Sequence, residues 1–210
     1  MTAHRGGLPA LLDRARQLAS TGRRQILGIA GPPGSGKGTL AAELLEDLGS
    51  KAVVVPMDGF HLAEAELRRL GRRDRKGAPD TFDSAGFAAL LRRLREPGEH
   101  AVYAPEFHRE VEESYAGSIA VGPEVPLVIT EGNYLLLDEG PWAEVRGLLD
   151  ETWFLDPPRE VLVSRLVDRH THHGKDPAAA RAWVEGTDLP NADRIAPTRD
   201  RADLIIDESW

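Results

Sequence analysis

Cysteine is absent from the 210-residue sequence, which excludes disulfide bonds, zinc–thiolate centres and thiol nucleophiles. Cations are in the minority, because 26 Lys and Arg against 34 Asp and Glu give a net charge of −8. Phosphate backbones attract clustered cations, so this balance argues against a nucleic-acid binder. No apolar run approaches the ~20 residues that span a bilayer, and the amino terminus lacks a secretory apolar core. We expect a soluble, cytoplasmic protein without a membrane or nucleic-acid partner.

Short apolar runs alternate with helical patterns along the chain. Runs that predict buried strands lie at 25–31, 51–58, 126–137, 151–156 and 202–207. Patterns that predict helices lie at 8–19, 37–48, 62–71, 84–96, 141–150 and 159–170, with Ser84 as an N-cap. This alternation predicts an α/β fold of the P-loop NTPase type, a five-stranded parallel sheet in three α/β/α layers, with residues 1–210 as one domain. Segment 109–125 reads as either a small hairpin or an extended excursion.

A glycine-rich stretch, GPPGSGKGT, separates the first predicted strand from its helix. It matches the pattern G-x-x-x-x-G-K, in which glycines let successive N–H groups point at a phosphate and the lysine reaches the β- and γ-phosphates. The helix N-terminus adds its positive dipole end. A plain strand-to-helix turn is the alternative, but agreement in this setting favours nucleotide binding. The predicted nucleotide-binding residues are Gly31, Gly34, Ser35, Gly36, Lys37, Gly38 and Thr39.

Gly38 departs from the usual motif, which has Ser or Thr after the lysine as a Mg²⁺ ligand. Thr39 supplies the nearest hydroxyl. We therefore expect Mg²⁺ to depend on Thr39 and on a carboxylate from elsewhere in the chain.

Two carboxylates stand at the ends of predicted strands, where open parallel sheets bind ligands. Asp58 ends the second strand and Glu131 the third, and both would face the phosphates if these strands neighbour the first. We assign Asp58 as the base that accepts the proton of an attacking hydroxyl, and Glu131 to the metal. The alternative is that both residues only shape turns.

Motifs along the chain resemble a known family. GPPGSGKGT, VPMDGFH, RKGAPDTFD, VYAPEFHR, LVITEGNYLLL and WFLDPPREVLVSRLVDRH occur in the order typical of the uridine kinase, pantothenate kinase and phosphoribulokinase group of P-loop kinases. The resemblance extends from about residue 26 to residue 207. It is strongest to bacterial proteins described as nucleoside/nucleotide kinase family members, some of them linked to sugar-transport operons.

The resemblance implies an ATP- and Mg²⁺-dependent transfer of a phosphoryl group to a hydroxyl of a small metabolite, such as a nucleoside, a pantothenate-like compound or a sugar. It implies catalytic roles for Asp58, Lys37, Arg165 and Arg169. It implies an acceptor site that includes Asp58, His61, Lys76, Phe82, Tyr103, His108, Arg109 and Asn133, with Asp80 in the same segment. It further implies nucleotide contacts at Asn191, Thr198 and Arg199, a lid at about 169–180, and a possible homodimer.

The helical pattern supports the two arginines independently. Arg165 and Arg169 are four residues apart and hence on one helix face, where two guanidinium groups suit a charge spread over phosphoryl oxygens. An exposed basic face paired with Asp168 and Glu160 is the alternative.

Other signals are weaker. His170, His172 and His173 could bind a metal, although a solvated lid segment is the preferred interpretation. Trp142, Trp153 and Trp183 are interpreted as packing residues. Two rival functions stay open. A nucleoside-monophosphate kinase would bind a phosphorylated acceptor through Arg72, Arg73 and Arg75. A regulatory P-loop protein would have no small-molecule acceptor.

Overall fold

The computed structural model describes residues 2–3, 7–96, 98–172 and 174–207. Within these ranges a parallel sheet contains β1 (Thr2–Ala3), β2 (Gln25–Ala30), β3 (Ala52–Val54), β6 (Leu127–Gly132), β7 (Glu151–Leu155) and β8 (Leu204–Ile206). The strand order is β1-β8-β7-β2-β6-β3. The five predicted strands are confirmed. The two-residue β1 adds an edge strand that is too short to leave a pattern in the sequence.

Helices surround the sheet. They are α1 (Gly7–Ala19), α2 (Lys37–Leu48), α3 (Glu64–Arg69), α4 (Ser84–Arg95), α5 (Arg159–His172), α6 (Pro177–Trp183) and α7 (Leu189–Ile195). A single π-helical turn, Val184–Asp188, joins α6 to α7. In the described residues, no helix has the length and apolar composition needed to cross a membrane.

Three local predictions were wrong. The strand predicted at 51–58 ends at Val54, because Pro56 has no N–H to continue the ladder. The N-cap of α4 is Asp83 rather than Ser84, since the Asp83 carboxylate accepts from the Gly86 N–H at 2.8 Å. The helix predicted at 141–150 consists of two short 3₁₀ turns, Gly140–Glu144 and Arg146–Leu148.

Two apolar cores cover the faces of the sheet. Along β2, Ile26 and Ala30 face the core under α4, whereas Leu27 and Ile29 face the core under α1 and α2. Alternate residues of one strand thus point to opposite layers, and both sets are fully buried. This arrangement gives the predicted three layers.

Segment 109–125 belongs to a hairpin, the first of its two predicted alternatives. The hairpin consists of β4 (Val102–His108) paired antiparallel with β5 (Glu113–Val121). The register shifts between Ala104 and Glu106, where Pro105 interrupts the alternation that would have signalled a strand. The turn of this hairpin lies at the ligand-binding end of the main sheet and contributes to the site described next.

Candidate active site

A cleft of about 930 Å³ opens at the carboxyl ends of β2, β6 and β3. At one end it is lined by the glycine-rich loop and α5, and at the other by the hairpin turn and the segment before α4. Predicted site residues that line it are Gly34, Gly36, Lys37, Gly38, Thr39, Asp58, His61, Lys76, Phe82, Arg109, Glu131, Asn133, Arg165 and Arg169, with Asn191. The parallel sheet thus brings together residues that are more than 100 positions apart in sequence.

The glycine-rich loop bends through Gly34 and Gly36, whose φ angles of +79° and +96° favour glycine. A Cβ atom on Gly34 would lie 2.9 Å from Cγ of Leu166, so α5 packs directly on the loop. Gly31 and Ser35 support the loop from behind and do not line the cleft. The glycine-rich loop is therefore held between the sheet and α5, the helix that carries Arg165 and Arg169.

The Lys37 ammonium group folds back onto this loop. Its Nζ donates to the carbonyl oxygens of Gly31, at 3.0 Å, and Pro32, at 2.9 Å. Burial lowers the pKa of Lys37 to about 8, and the negative charges of Glu131 and Asp58 oppose that shift. Both carboxylates are thus close enough to act electrostatically on the lysine.

Glu131 lies beside the start of the loop, because it is the register partner of Ile29 on the adjacent strand. Burial raises the pKa of Glu131 to about 7, and the charge of Asp58 adds to the effect while Lys37 opposes it. A carboxyl group that is easily protonated and lies near a phosphate cradle is typical of an active site.

Asp58 reaches the cleft by a different path from the one predicted. Strand β3 neighbours β6 and not β2, so Asp58 lies one strand further from the loop than a direct neighbour would. The 3₁₀ turn Met57–Phe60 closes this gap by folding over the end of β6. It can do so because residue 132 is glycine: a Cβ atom there would lie 2.5 Å from Cβ of Met57.

The hairpin packs over the same turn. A Cβ atom on Gly59 would lie 2.3 Å from the carbonyl oxygen of Pro105, so glycine is required for this approach. Arg109, at the hairpin turn, places Nη2 3.3 Å from Oδ2 of Asp58. The ring Nδ1 of His61 lies 2.8 Å from the backbone oxygen of Asp58. The glycines of the DGFH and TEGNY motifs therefore serve to position one carboxylate.

Aromatic rings form one wall beside Asp58. His61 lies between Phe82 and Phe107, with ring centroids 4.0 Å and 4.6 Å away. The segment that precedes Phe82 is anchored by Tyr134, whose hydroxyl donates to the backbone oxygen of Gly77 at 2.5 Å. Lys76 lies above Phe107, with Nζ 5.2 Å from the ring centroid.

The carboxyl-terminal half of α5 carries a charged cluster. Arg165 Nη1 lies 3.5 Å from the Ser35 oxygen, and Arg169 Nη2 lies 3.9 Å from Oδ1 of Asp188. His170 Nε2 lies 2.7 Å from the other carboxylate oxygen of Asp188, so His170 contacts a carboxylate at the cleft. Burial lowers the pKa of Arg169. His173 lies outside the described residues.

Some predicted site residues lie elsewhere. Tyr103 is 59% exposed on the outer face of the hairpin, because Val102 and Ala104 take the inward positions. His108 stacks on Tyr115 at 4.4 Å. Thr198 donates to the Ile195 oxygen at 2.7 Å, and Arg199 pairs with Asp156 at 2.6 Å. Asp80 pairs with Arg75 at 2.6 Å. None of these predicted residues lines the cleft: Tyr103, His108, Thr198, Arg199 and Asp80.

The sequence interpretation also missed several cleft residues. Trp142 and Trp153 are buried as predicted, but Trp183 lines the cleft under the ammonium group of Lys175, 4.8 Å from the ring centroid. Other lining residues that were missed are Phe107, Glu110, Glu112, Thr187 and Asp188, whereas Arg73 had been named only for the rival function. No sequence pattern placed Glu110 and Glu112 of the hairpin turn in the cleft, since their position depends on tertiary packing.

This loop, sheet order and cleft define a P-loop kinase fold. The chain belongs to the phosphoribulokinase/uridine kinase family, whose model matches residues 26–209. It is 36% identical to the ATP-dependent kinase-like protein notR' of Aspergillus versicolor over 73% of this chain and 95% of that protein. It is 35% identical to the uncharacterized protein YggC of Escherichia coli K12 over 92% of this chain and 81% of that protein.

A solved structure is similar along nearly the whole chain. A protein from Silicibacter sp. TM1040, described as a "putative fructose transport system kinase", superposes with a TM-score of 0.86 and 39% identity. The match covers 96% of this chain and 99% of that one. Its overall fold therefore agrees with the three-layer architecture described above.

Proposed function

We propose that the protein is an ATP- and Mg²⁺-dependent kinase that phosphorylates a hydroxyl group of a small metabolite. The observation that carries this proposal is the position of Asp58 in the same cleft as Lys37 and Glu131. A carboxylate with one side open to the cleft can accept the proton of an attacking hydroxyl, as transfer to a small-molecule acceptor needs. The kinase names of the relatives support the reaction class.

In the proposed reaction, the acceptor hydroxyl attacks the γ-phosphorus of ATP. The bond between this phosphorus and the β–γ bridging oxygen breaks, and ADP leaves with the electron pair. The hydroxyl proton passes to the Asp58 carboxylate, and Arg109 steadies that carboxylate from 3.3 Å. Lys37, Arg165 and Arg169 neutralise charge on the moving phosphoryl group.

The residues present fit a bound Mg²⁺ ion. Thr39 is exposed in the cleft and Glu131 provides a nearby carboxylate, so these two would hold the metal. Among the residues that the structure describes, no three His, Asp or Glu side chains form a metal-binding group. Mg²⁺ suits such a sparse site, since it keeps several waters and binds substrate phosphates. When bound, it would link the phosphates and offset their charge.

The contacts disfavour a nucleoside-monophosphate kinase. Arg72 and Arg75 pair with Asp80, and neither lines the cleft. Of the three arginines that could bind an acceptor phosphate, only Arg73 faces the cleft, and it pairs with Glu64 at 2.5 Å.

The proposal is tested by ADP release with ATP and Mg²⁺ across nucleosides, nucleoside monophosphates, sugars and pantothenate. We expect one acceptor class to stimulate ADP release in the wild type. Lys37→Ala and Asp58→Asn should abolish that stimulation, and Asp58→Asn should still bind ATP. Asp200→Asn, an exposed carboxylate changed in the same way, serves as the control. Full activity of Asp58→Asn would overturn the assignment of the base. A slow hydrolysis that no acceptor stimulates would favour a regulatory P-loop protein.

A further inference from the structure

We propose, on the basis of the function proposed above, that the acceptor is an uncharged, hydroxyl-rich molecule of the sugar or polyol type and not an acid or a phosphate ester. The part of the cleft concerned lies beyond Asp58 and is bounded by the hairpin turn and by the segment around Lys76. We call it the acceptor end. Its lining includes His61, Arg73, Lys76, Phe107, Glu110 and Glu112.

Each cation of the acceptor end is matched by a carboxylate of the protein. Arg109 faces Asp58 at 3.3 Å, and Lys76 faces Glu112 at 3.5 Å. Arg73 faces Glu64 at 2.5 Å and Glu112 at 3.8 Å. An anionic acceptor would have to displace one of these carboxylates or lie beside it, and like charges brought together in this way oppose binding.

Lys76 is held in place by the hairpin turn. Its side chain is only 8% exposed, and Nζ donates to the backbone oxygen of Glu112 at 2.7 Å. Glu112 has a φ of +53°, which makes it the one non-glycine residue with a positive φ among the residues described. This conformation is unfavourable for a side chain with a Cβ atom, and such residues cluster at functional sites. The turn thus places Glu112 over Lys76, so this cation already has a partner within the protein.

The remaining lining suits a neutral acceptor. Glu110 and Glu112 offer carboxylate oxygens, and Asn133 offers an amide that can both donate and accept. The rings of His61 and Phe107, 4.6 Å apart, form an apolar wall for C–H groups. At the opposite end of the cleft, Lys37, Arg165 and Arg169 gather where phosphates are expected. We therefore expect anions to bind at the end of the cleft that holds Lys37, Arg165 and Arg169.

The test uses pairs of acceptors that differ in charge but keep a primary hydroxyl. Suitable pairs are fructose with fructose 6-phosphate, glucose with gluconate, glycerol with glycerate, and pantothenol with pantothenate. ADP release and mass spectrometry of the product give kcat/KM for each member. We expect the neutral member of the preferred pair to exceed its anionic partner by about tenfold or more, as like-charge repulsion predicts.

A charge-removing variant tests the role of the turn. Glu112→Gln keeps the backbone oxygen on Lys76 but removes the carboxylate that faces Lys76 and Arg73. We expect the anionic-to-neutral ratio of kcat/KM to rise severalfold in Glu112→Gln. Glu46→Gln, an exposed change on α2, should leave the ratio unchanged.

The outcomes separate this inference from the proposed function. Equal or preferred use of the anionic members would overturn the neutral-acceptor inference and leave the kinase assignment intact. An unchanged ratio in Glu112→Gln would overturn the role given to the turn. If no acceptor of either charge is phosphorylated by protein that binds ATP, the proposed function fails, and the inference fails with it.

Discussion

Nε2 of His170 lies 2.7 Å from Oδ2 of Asp188, which joins the end of α5 to the π-helical turn across the cleft. Asp188 is buried, and its other oxygen lies 3.9 Å from Arg169. One carboxylate therefore contacts two cleft-lining side chains. The π-helical turn places Asp188 there, and such turns are frequent at functional sites.

We predict that Asp188→Asn lowers kcat by about 10- to 100-fold, because Arg169 loses its orienting charge and misplacement of a transition-state contact is costly. Steady-state kinetics with varied ATP should show a larger change in kcat than in KM. Asp168→Asn, an exposed change on the same helix α5, is the matched control and should be neutral. Equal losses in both variants would point to a general defect of the helix and contradict the role of Asp188.

Gly132 is predicted to be indispensable for the position of Asp58. Gly132→Ala would bring a Cβ atom to 2.5 Å from Cβ of Met57, so the turn that carries Asp58 has to shift. We expect a loss of about 1–3 kcal/mol in the free energy of unfolding, as is usual for overpacking, together with a loss of activity. Gly147→Ala is the control, since a Cβ atom there meets nothing within 4 Å. Urea unfolding and ADP release measure the two effects, and a fully active Gly132→Ala would contradict this account.

One part of the candidate site follows from local sequence patterns, and another part does not. The loop, Lys37 and the strand-end carboxylates follow from local patterns, because parallel strands end at one edge of the sheet. The acceptor end depends on long-range contacts that no local sequence pattern predicts. Lys76 and Glu112, for example, are 36 residues apart and meet only because the hairpin folds over Gly59. Tyr103 lies outside the cleft for the same reason, since the hairpin register decides which side chains face inward. Trp183 also reaches the cleft only through the packing of α6.

Glu131 should give the activity a dependence on pH near neutrality. Its pKa is about 7 and that of Lys37 is about 8. The proposed mechanism uses the carboxylate form of Glu131 and the ammonium form of Lys37, so kcat/KM for ATP should rise as pH increases through about 7 and fall above about 8. A pH profile of kcat/KM checks this. Persistence of the acidic limb in the residual activity of Glu131→Gln would assign it to another group.

Glu131 should also reduce the stability of the ligand-free protein. Its pKa is raised from 4.5 to about 7, so between these values the folded state binds more protons than the unfolded chain. The free energy of unfolding therefore falls as pH rises from about 4.5 to about 7. Above that range the destabilisation by the Glu131 carboxylate has its full size. We expect Glu131→Gln to raise the Tm at pH 8 and to have less effect at pH 5. Thermal melts of wild type and variant at both pH values measure it, and an equal shift at both would contradict the titration.

Gly38 raises the question of why the usual serine or threonine is missing, and the structure makes this testable. A Cβ atom on Gly38 meets nothing within 4 Å, so packing does not demand glycine at this position. We predict that Gly38→Ser folds normally and lowers the Mg²⁺ concentration needed for half-maximal activity, because its hydroxyl adds a direct oxygen ligand beside Thr39. Gly38→Ala, which fills the same space without a hydroxyl, should leave the Mg²⁺ requirement unchanged. If both variants shift the Mg²⁺ titration equally, the loop backbone and not the hydroxyl controls metal binding, and the sparse metal site inferred for this protein would be wrong.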